Sequence, residues 1–399
     1  MKSKNFRLLW MGQLFANLGD VFYIVGLISI LYAAKGSAFY LAMLPFLNTF
    51  GRFVSGMVSP ILLNRYRLTS LLAGSQFYKT IVLFGISVWV GFKADPNILP
   101  IFICIFIIAF LDGWAAPATK ALIPRLVGRT EFVKANSFMA VINETTQLGG
   151  WALGGILVAI INGQNIIWLT FVLFAFSTMM MKGITDETPL KPRKLQKGEE
   201  IKEGWLIIWR NPLIRTIHVV ILLEAIANVV WVAAILYVFV TEMLSVTEAY
   251  WGYINAFFFA GLIAGGLFCS IFALFVERNM KKVLITSSIG IAVLTAWFGV
   301  NNIAWLALIL VACSGFLDQI KGIVINTSLQ KNVSVEQLPK IYSAQHALIS
   351  FFFGISTLVF GTLAELVSVQ LVFIAAGMLL AVSGIYVFRI ALKLNVSGS

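Results

Sequence analysis

The apolar positions of the chain fall into long stretches that are separated by short polar ones. A helix needs about 20 mostly apolar residues to cross a bilayer. Turn signals and charges divide the chain into twelve stretches of this kind. They cover residues 6–33, 38–62, 69–92, 97–119, 134–161, 165–184, 211–240, 249–275, 280–299, 301–325, 337–363 and 369–392. The pattern predicts an all-α polytopic membrane protein with twelve transmembrane helices.

The longest polar stretch lies between the sixth and seventh spans. It starts with prolines and mixed charges, which favours a linker. Its second half has one apolar helical face, formed by Ile201, Trp205, Ile208 and Trp209. We expect a helix on the inner leaflet there, the alternative being an extension of span seven. The predicted domains are residues 1–184, a cytoplasmic linker with an interfacial helix at 185–210, and residues 211–399.

Composition and charge support this class. Apolar residues make up 60% of the chain and charged residues 12%, whereas soluble domains carry about 25% charged residues. The net charge of +12 could indicate nucleic-acid binding. However, nearly all lysines and arginines fall in loops on one side, and only Lys35 and Lys93 lie on the other. This asymmetry predicts cytoplasmic termini and argues against a nucleic-acid partner.

No cofactor or metal site is predicted. The three cysteines, Cys104, Cys269 and Cys313, are isolated in apolar runs and have no matching histidines. Small buried thiols are the expected role.

The two halves of the chain share a weak repeat. The triplet Phe-Leu-Asp ends at Asp112 and again at Asp318, a shift of 206 residues (318 − 112). The same shift relates three more identical pairs, Lys134 with Lys340, Ser137 with Ser343 and Gly155 with Gly361. Two parallel six-helix repeats are typical of transporters whose binding site lies between the halves.

Several segments resemble the major facilitator superfamily, and within it the macrolide-efflux type of drug:proton antiporter. They are "NFRLLWMGQLFANLGD" from Asn5, "AAPATKALIPRLVGRTEFVKANSF" from Ala115 and "EGWLIIWRNPLIR" from Glu203. The family's loop signature after span two appears as Gly56 followed by "NRYR", in which Asn64 replaces an aspartate. The antiporter motif of span five survives in part, with Trp151 in place of its proline.

The resemblance implies two pseudo-symmetric six-helix bundles, with spans one, four, seven and ten around a central cavity. It implies a proton-coupled secondary transporter that exports small amphipathic compounds by alternating access. The expected partners are a small-molecule substrate, protons and the lipid bilayer. We expect a monomer in a bacterial plasma membrane. The open alternatives are export of a zwitterionic metabolite such as a metal-chelating compound, and flipping of a lipid or lysolipid.

Other functional classes fit the sequence less well. The chain has no Walker-type phosphate loop, so ATP is not expected as the direct fuel. It also has no HExxH motif, paired-aspartate prenyl motif or serine–histidine arrangement within the spans, so it is not predicted to be an enzyme. Two similar halves with mid-membrane acids suit alternating access better than a channel.

Charged residues inside the predicted spans are the candidate site. A charge at mid-bilayer costs about 2.5–3.5 kcal/mol, so each one needs a partner, water or a role. Asp20 and Glu224 lie at similar depths on cavity-lining spans. The candidate substrate- or proton-binding residues are Asp20, Glu224, Glu144, Asn17, Asn228, Arg52 and His346. The alternative role for the carboxylates is helix packing with hydroxyl or basic neighbours.

The cations in the spans leave two alternatives. Lys79 is expected in an internal ion pair, for example with Glu144 at matching depth. Otherwise Lys79 and Arg52 bind a carboxylate on the cargo, which would favour a zwitterion. His346 could relay protons or be a satisfied buried histidine.

The repeated aspartates are predicted to form a duplicated cytoplasmic gate. By the family resemblance, Asp112 would pair with Arg65 and Asp318 with Arg278 when the cytoplasmic side closes. Direct cargo or proton binding and a local structural role are the alternatives. Lys321, three residues after Asp318, is a competing partner.

Overall fold

The computed structural model describes residues 3–35, 38–92, 98–186, 188, 197–231, 233–247 and 249–396. Within these ranges the chain is helical and contains no β-strand. The helices are α1 (Lys4–Lys35), α2 (Ala38–Arg65), α3 (Leu68–Phe92), α4 (Ile98–Leu126), α5 (Phe132–Lys182), α6 (Lys197–Arg210), α7 (Pro212–Ala227), α8 (Ala233–Val238), α9 (Ala249–Ile271), α10 (Ala273–Arg278), α11 (Met280–Val300), α12 (Ala304–Asn332), α13 (Leu338–Leu366) and α14 (Val369–Val396). Eleven described segments are long and apolar enough to cross a membrane. The all-α polytopic class is confirmed.

The predicted fifth and sixth spans form the two arms of α5. The arms meet at Asn162, whose φ of 61° lies outside the helical range. The Asn162 side chain accepts a hydrogen bond from the backbone N–H of Asn165 at 3.1 Å and so caps the second arm. The second arm belongs to the eleven apolar segments, which include Ile160–Lys182. The first arm is more polar, because it carries side chains such as Asn136, Glu144 and Gln147.

The predicted seventh span is broken. Asn211 caps the start of α7 by accepting hydrogen bonds from Leu213 and Ile214. After α7 the chain forms a 3₁₀ turn at Asn228–Trp231, and α8 is followed by a π-helical turn at Phe239–Met243. Asn228 lies at this break and donates its backbone N–H to the carbonyl oxygen of Glu224. The irregular backbone therefore begins one helical turn after Glu224.

The chain packs into two compact units. Unit 1 comprises Met1–Glu131, Ile142–Trp205 and Ser334–Ala347, and unit 2 comprises Phe132–Val141, Leu206–Val333 and Leu348–Ser399. Unit 1 thus includes the start of α13, and unit 2 includes the start of α5. The linker helix predicted before span seven is present as α6. The side chain of Ile201, on its predicted apolar face, lies outside the described residues.

Close helix packing positions the two repeated aspartates. In unit 1, a Cβ added at Gly113 of α4 would lie 2.3 Å from the Ser55 side chain of α2. In unit 2, a Cβ added at Gly315 of α12 would lie 2.4 Å from the backbone oxygen of Phe258 in α9. Small residues are required at both contacts, as is usual where helices associate in lipid. Each contact lies within three residues of Asp112 or Asp318, which fixes the position of the carboxylate.

Candidate functional site

Unit 1 contains a cluster of four charged side chains from four helices. The Lys79 ammonium of α3 lies 2.6 Å from Asp20 Oδ1 of α1 and 2.7 Å from Asp112 Oδ1 of α4. Arg52 Nη2 of α2 lies 3.5 Å from the other oxygen of Asp112. The Lys79 side chain is 0% exposed, so its charge depends on these partners. Two cations face two carboxylates, and the cluster is balanced.

Aromatic and amide groups hold this cluster in place. Lys79 Nζ lies 4.4 Å from the centre of the Phe174 ring, close enough for a cation–π interaction. A Cβ at Gly19 would lie 2.4 Å from that ring, so the glycine before Asp20 lets Phe174 approach α1. On the same two helices as Asp20 and Arg52, Asn48 of α2 donates a hydrogen bond to the hydroxyl of Tyr23 of α1 at 2.9 Å.

The cluster opens on a polar cavity of about 210 Å³ within unit 1. Asn17 lines it and donates a hydrogen bond to Asn143 Oδ1 at 2.7 Å. His346 also lines it, and the buried His346 Nδ1 has no hydrogen-bond partner among the described residues. The other lining residues are Gln13, Ala16, Asp20, Arg52, Gln76, Asp112, Ala115, Ala116, Thr119, Lys120, Asn143 and Gln147. The cavity therefore presents cationic, anionic and amide groups together.

Unit 2 contains a related cluster of three charged side chains. Lys321 Nζ of α12 lies 3.2 Å from Glu224 Oε1 of α7 and 3.1 Å from Asp318 Oδ1, one turn earlier on its own helix. The Lys321 side chain is 2% exposed, whereas that of Asp318 is 35% exposed. One cation faces two carboxylates, so this cluster carries one negative charge in excess when all three groups are ionised.

The unit 2 cluster adjoins an aromatic cavity of about 240 Å³. Its lining residues are Asn228, Trp231, Phe258, Ile291, Ser314, Asp318 and Phe353. The rings of Trp231 and Phe258 lie nearly parallel, with an interplanar angle of 14° and centres 6.4 Å apart. Asp318 is the one ionisable side chain among these lining residues. The cavity can therefore surround a small apolar group that carries a positive charge.

The structure brings most of the sequence-predicted residues into these two sites. Asp20, Asn17, Arg52 and His346 line the unit 1 cavity, and Asn228 lines the unit 2 cavity. Glu224 belongs to the unit 2 cluster through Lys321. Glu144 is not among the residues that line either cavity. Their roles in binding cargo or protons remain predictions.

The competing partner predicted for Asp318, Lys321, is confirmed, but the predicted pairs of Lys79 with Glu144 and of Asp112 with Arg65 are wrong. Lys79 pairs with Asp20 and Asp112 rather than Glu144. Asp112 binds Arg52 of α2, and Arg65 lies thirteen residues (65 − 52) further along that helix. At 1.5 Å per residue the separation is about 20 Å, which an arginine side chain cannot bridge.

The second predicted gate pair fails for the same reason. Asp318 binds Lys321. Lys331, thirteen residues (331 − 318) further along α12, pairs with Glu277, the neighbour of Arg278. Arg278 is therefore also about 20 Å from Asp318 along the helix. Asp112 and Asp318 are the middle residues of α4 and α12 rather than residues near their cytoplasmic ends.

A polar network in unit 1 lies at the helix ends predicted to be cytoplasmic. Arg125 Nη1 at the end of α4 lies 2.9 Å from Asp186 Oδ2, and Nη2 donates to the Val335 carbonyl oxygen at 3.1 Å. Burial raises the pKa of Asp186, but hydrogen bonds with Thr188 and the Arg125 charge outweigh burial and hold that pKa below its usual value. Sequence reasoning did not identify this network, because Arg125 and Asp186 have no motif spacing.

The family model and the related sequences that match this chain indicate the same family. A family model described as "Major Facilitator Superfamily" matches residues 9–317. The "Uncharacterized MFS-type transporter YfmI" of Bacillus subtilis (strain 168) is 27% identical over 391 residues, which cover 97% of this chain and 96% of that protein. The "Multidrug efflux pump Tap" of Mycolicibacterium fortuitum is 22% identical over 285 residues, which cover 69% of this chain and 68% of that protein.

Solved structures share the fold at low sequence identity. An outward-facing bacterial homologue of the iron transporter ferroportin superposes with a TM-score of 0.77 at 13% identity, covering 96% of this chain and 98% of that one. The human organic anion transporter MFSD10 (TETRAN) gives a TM-score of 0.74 at 10% identity, covering 96% and 99%. At such identities the likeness extends to the fold alone.

Proposed function

Because the chain belongs to the major facilitator superfamily, we propose that it is a proton-coupled secondary transporter that exports small amphipathic compounds by alternating access. Export, proton coupling and the substrate class are the proposed parts. The similarity to a protein named a multidrug efflux pump supports export of such compounds.

The pair of carboxylate–lysine clusters carries this proposal. Asp112 and Asp318 are the middle residues of membrane-length helices, and each lines a cavity. A carboxylate that is both deep in the membrane and open to a cavity can take up a proton on one side and release it on the other. Moving one charge through 100 mV provides about 2.3 kcal/mol, and one pH unit adds about 1.4 kcal/mol. Together they suffice for concentration gradients of a few hundred-fold.

Transport by reconstituted protein tests this proposal. In liposomes with an imposed pH gradient, the wild type should accumulate members of a mixed panel of amphipathic compounds against their gradients. The double variant Asp20→Asn/Glu224→Gln should insert but lose proton-driven accumulation, because one carboxylate is removed from each cluster. The variant Glu242→Gln is the control, since this carboxylate is exposed at the π-helical turn after α8. Accumulation by the double variant at the wild-type rate would rule out coupling through these acids.

Export of a zwitterionic metabolite is a second candidate function. The unit 1 cavity favours it, because that cavity is lined by Arg52 and Lys120 as well as by Asp20 and Asp112. A cargo with both charges would find partners of both signs there. Zwitterionic chelators in the panel separate the two candidates, since only the second predicts that they are transported in preference to amphipathic compounds.

A further inference from the structure

We propose that the unit 1 cavity binds the carboxylate of an anionic amphipathic compound, and that Arg52 and Lys120 are the partners of this carboxylate. This inference rests on the proposed function and names the class of cargo that is exported. Its basis is that the cations of the cavity are accessible, whereas the acids are already paired.

The two carboxylates at the cavity are bound to a buried lysine. Asp20 and Asp112 lie 2.6 and 2.7 Å from the Lys79 ammonium, which is completely enclosed. Their side chains are 20% and 12% exposed. A ligand that competed for either acid would have to separate it from a buried charge, which is costly. These acids are therefore poor partners for an incoming cation.

Two cations, by contrast, are open to the cavity. The Arg52 side chain is 42% exposed, and its ion pair with Asp112 is long, at 3.5 Å. Lys120 of α4 is exposed and also lines the cavity. Both charges act on His346, which lines the same cavity, so both lie near that side chain. An entering ligand therefore meets positive charge first.

A carboxylate suits this pair of cations. The guanidinium group of an arginine is a planar fork of donors that matches a carboxylate, and the ammonium group of a lysine adds a point charge. Asp20 and Asp112 would repel an anion, but the Lys79 ammonium contacts both of them and offsets this repulsion. The favourable contacts should therefore prevail.

The remaining polar walls can bind groups next to the carboxylate. They carry the side-chain amides of Gln13, Asn17, Gln76, Asn143 and Gln147. The buried Gln76 Oε1 has no hydrogen-bond partner among the described residues. Each amide offers two donor hydrogens and one acceptor oxygen, and such groups need water or a polar ligand inside a membrane protein. A hydroxyl group beside the carboxylate should therefore strengthen binding.

The size of the cavity limits what it can hold. Its volume of about 210 Å³ is below the roughly 300–1,000 Å³ of sites for whole drug-sized ligands. The apolar side chains that line it are small, namely Ala16, Ala115 and Ala116. The cavity would therefore hold a carboxylate head with its polar neighbours and about one ring.

The unit 2 cavity has the opposite character. Asp318 is the one ionisable side chain among the residues that line it. The shift of 206 residues that relates Asp112 to Asp318 places Asn326 where α4 has Lys120 (326 − 120). The accessible lysine is thus not duplicated, and an anion should bind in unit 1 rather than in unit 2.

Four matched compounds test the site by titration calorimetry on the purified full-length protein. Mandelate carries a carboxylate and a hydroxyl group on the carbon next to a phenyl ring. Mandelamide has the same shape without the charge, phenylacetate lacks the hydroxyl group, and phenylglycine is the zwitterion. Mandelate should bind at least about ten-fold more tightly than mandelamide and several-fold more tightly than phenylacetate. Phenylglycine should bind no more tightly than mandelate, because the acids are engaged by Lys79.

Variants assign the effect to the cavity. Lys120→Gln should weaken mandelate binding at least about ten-fold and leave mandelamide unchanged, whereas Lys120→Arg should retain both affinities. Arg52→Lys keeps a charge next to Asp112 but loses the fork of donors. It should weaken mandelate binding several-fold, which tests the site even if Lys120→Gln does not fold. Lys202→Gln, the same change at an exposed lysine of α6, is the control.

Three results would overturn this inference. The first is equal affinity of the wild type for mandelate and mandelamide, and the second is unchanged mandelate affinity in Lys120→Gln. The third is tighter binding of phenylglycine than of mandelate, which would make the acids part of the site and favour a zwitterionic cargo.

Transport in liposomes separates this failure from failure of the proposed function. If a pH gradient drives transport of other amphipathic compounds while mandelate is not bound, only the carboxylate site is wrong. If mandelate binds as expected but no compound is moved by a pH gradient, the proposed function is wrong and the site stands.

Discussion

At the scale of single residues, each of the two charge clusters is centred on a buried lysine that contacts two carboxylates. Lys79 and Lys321 are almost completely enclosed, and each lies within hydrogen-bonding distance of two acids. The sequence shows the acids clearly, because Asp112 and Asp318 share a repeated triplet. It does not show their lysines as a repeat, because Lys79 and Lys321 occupy different helices. The repeat could therefore predict two acidic sites but not the charge that each site carries.

Removing the Lys79 ammonium should strongly destabilise the protein. In Lys79→Met, Asp20 and Asp112 lose their shared partner, and an unpaired buried charge costs about 3–5 kcal/mol. The double variant Lys79→Met/Asp20→Asn retains Arg52 with Asp112 and is again balanced. We therefore expect its thermal unfolding midpoint in detergent to recover part of the loss. A double variant that is less stable than Lys79→Met would contradict this charge balance.

Helix boundaries show what patterns can predict at the element scale. The short break predicted between the spans 280–299 and 301–325 is confirmed, because α11 ends at Val300 and α12 begins at Ala304. Asn301 stabilises the break by donating its side-chain amide to the Ile303 carbonyl oxygen. The break of span seven at Asn228 has no such signal, since Asn228 lies in an apolar run without glycine or proline. The sequence predicted Asn228 as a site residue, but it did not predict the 3₁₀ turn that begins at this residue.

The junction of the two arms of α5 provides a test at this scale. The φ of 61° at Asn162 is unfavourable for most residues with a Cβ but not for glycine. Asn162→Ala should lose the cap to Asn165 and keep the strain, for a total cost of roughly 2 kcal/mol. Asn162→Gly loses the cap alone and should cost clearly less. The two variants differ only in the Cβ, and their thermal unfolding midpoints in detergent give the comparison. Equal losses would show that the backbone at Asn162 is not strained.

At the scale of the whole molecule, the compact units do not coincide with the sequence halves. The start of α13 packs within unit 1, where the Ser343 hydroxyl forms a hydrogen bond with Ser59, and Lys340 pairs with Glu203. The start of α5 packs within unit 2, where Asn136 donates to Gln330 at 2.7 Å. If alternating access separates the two sequence halves, these contacts must break. They are therefore better candidates for a latch than the mid-helix aspartates.

Arg125 forms a further contact of this kind, between the end of α4 and the segment before α13, and we call this contact the latch. Arg125 joins the Asp186 carboxylate to the Val335 backbone just before α13. Hydrogen bonds to charged groups contribute about 1.5–3 kcal/mol. In Arg125→Ala, the ratio of molecules with a long distance to those with a short distance between spin labels at Ser70 and Gln337 should therefore rise by roughly ten-fold. Asp186→Asn should give a smaller shift, because the hydrogen bond from Arg125 to the Val335 carbonyl oxygen remains. Adding Asp186→Asn to Arg125→Ala should change little, because Arg125→Ala already removes the Arg125–Asp186 pair. The variant Arg278→Ala is the control, because Arg278 is an exposed cation at the end of α10.

The latch should also respond to pH in a defined direction. Because the folded-state pKa of Asp186 lies below its usual value, ionisation of this carboxyl stabilises the latched form above about pH 4. The contribution should be lost as the pH falls through the lowered pKa, and the label distance in the wild type should then lengthen. Asp186→Asn should show no such acid transition, because its amide does not titrate in this range. An acid transition of equal size in this variant would assign the pH dependence to other groups and would leave Asp186 without a role in the latch.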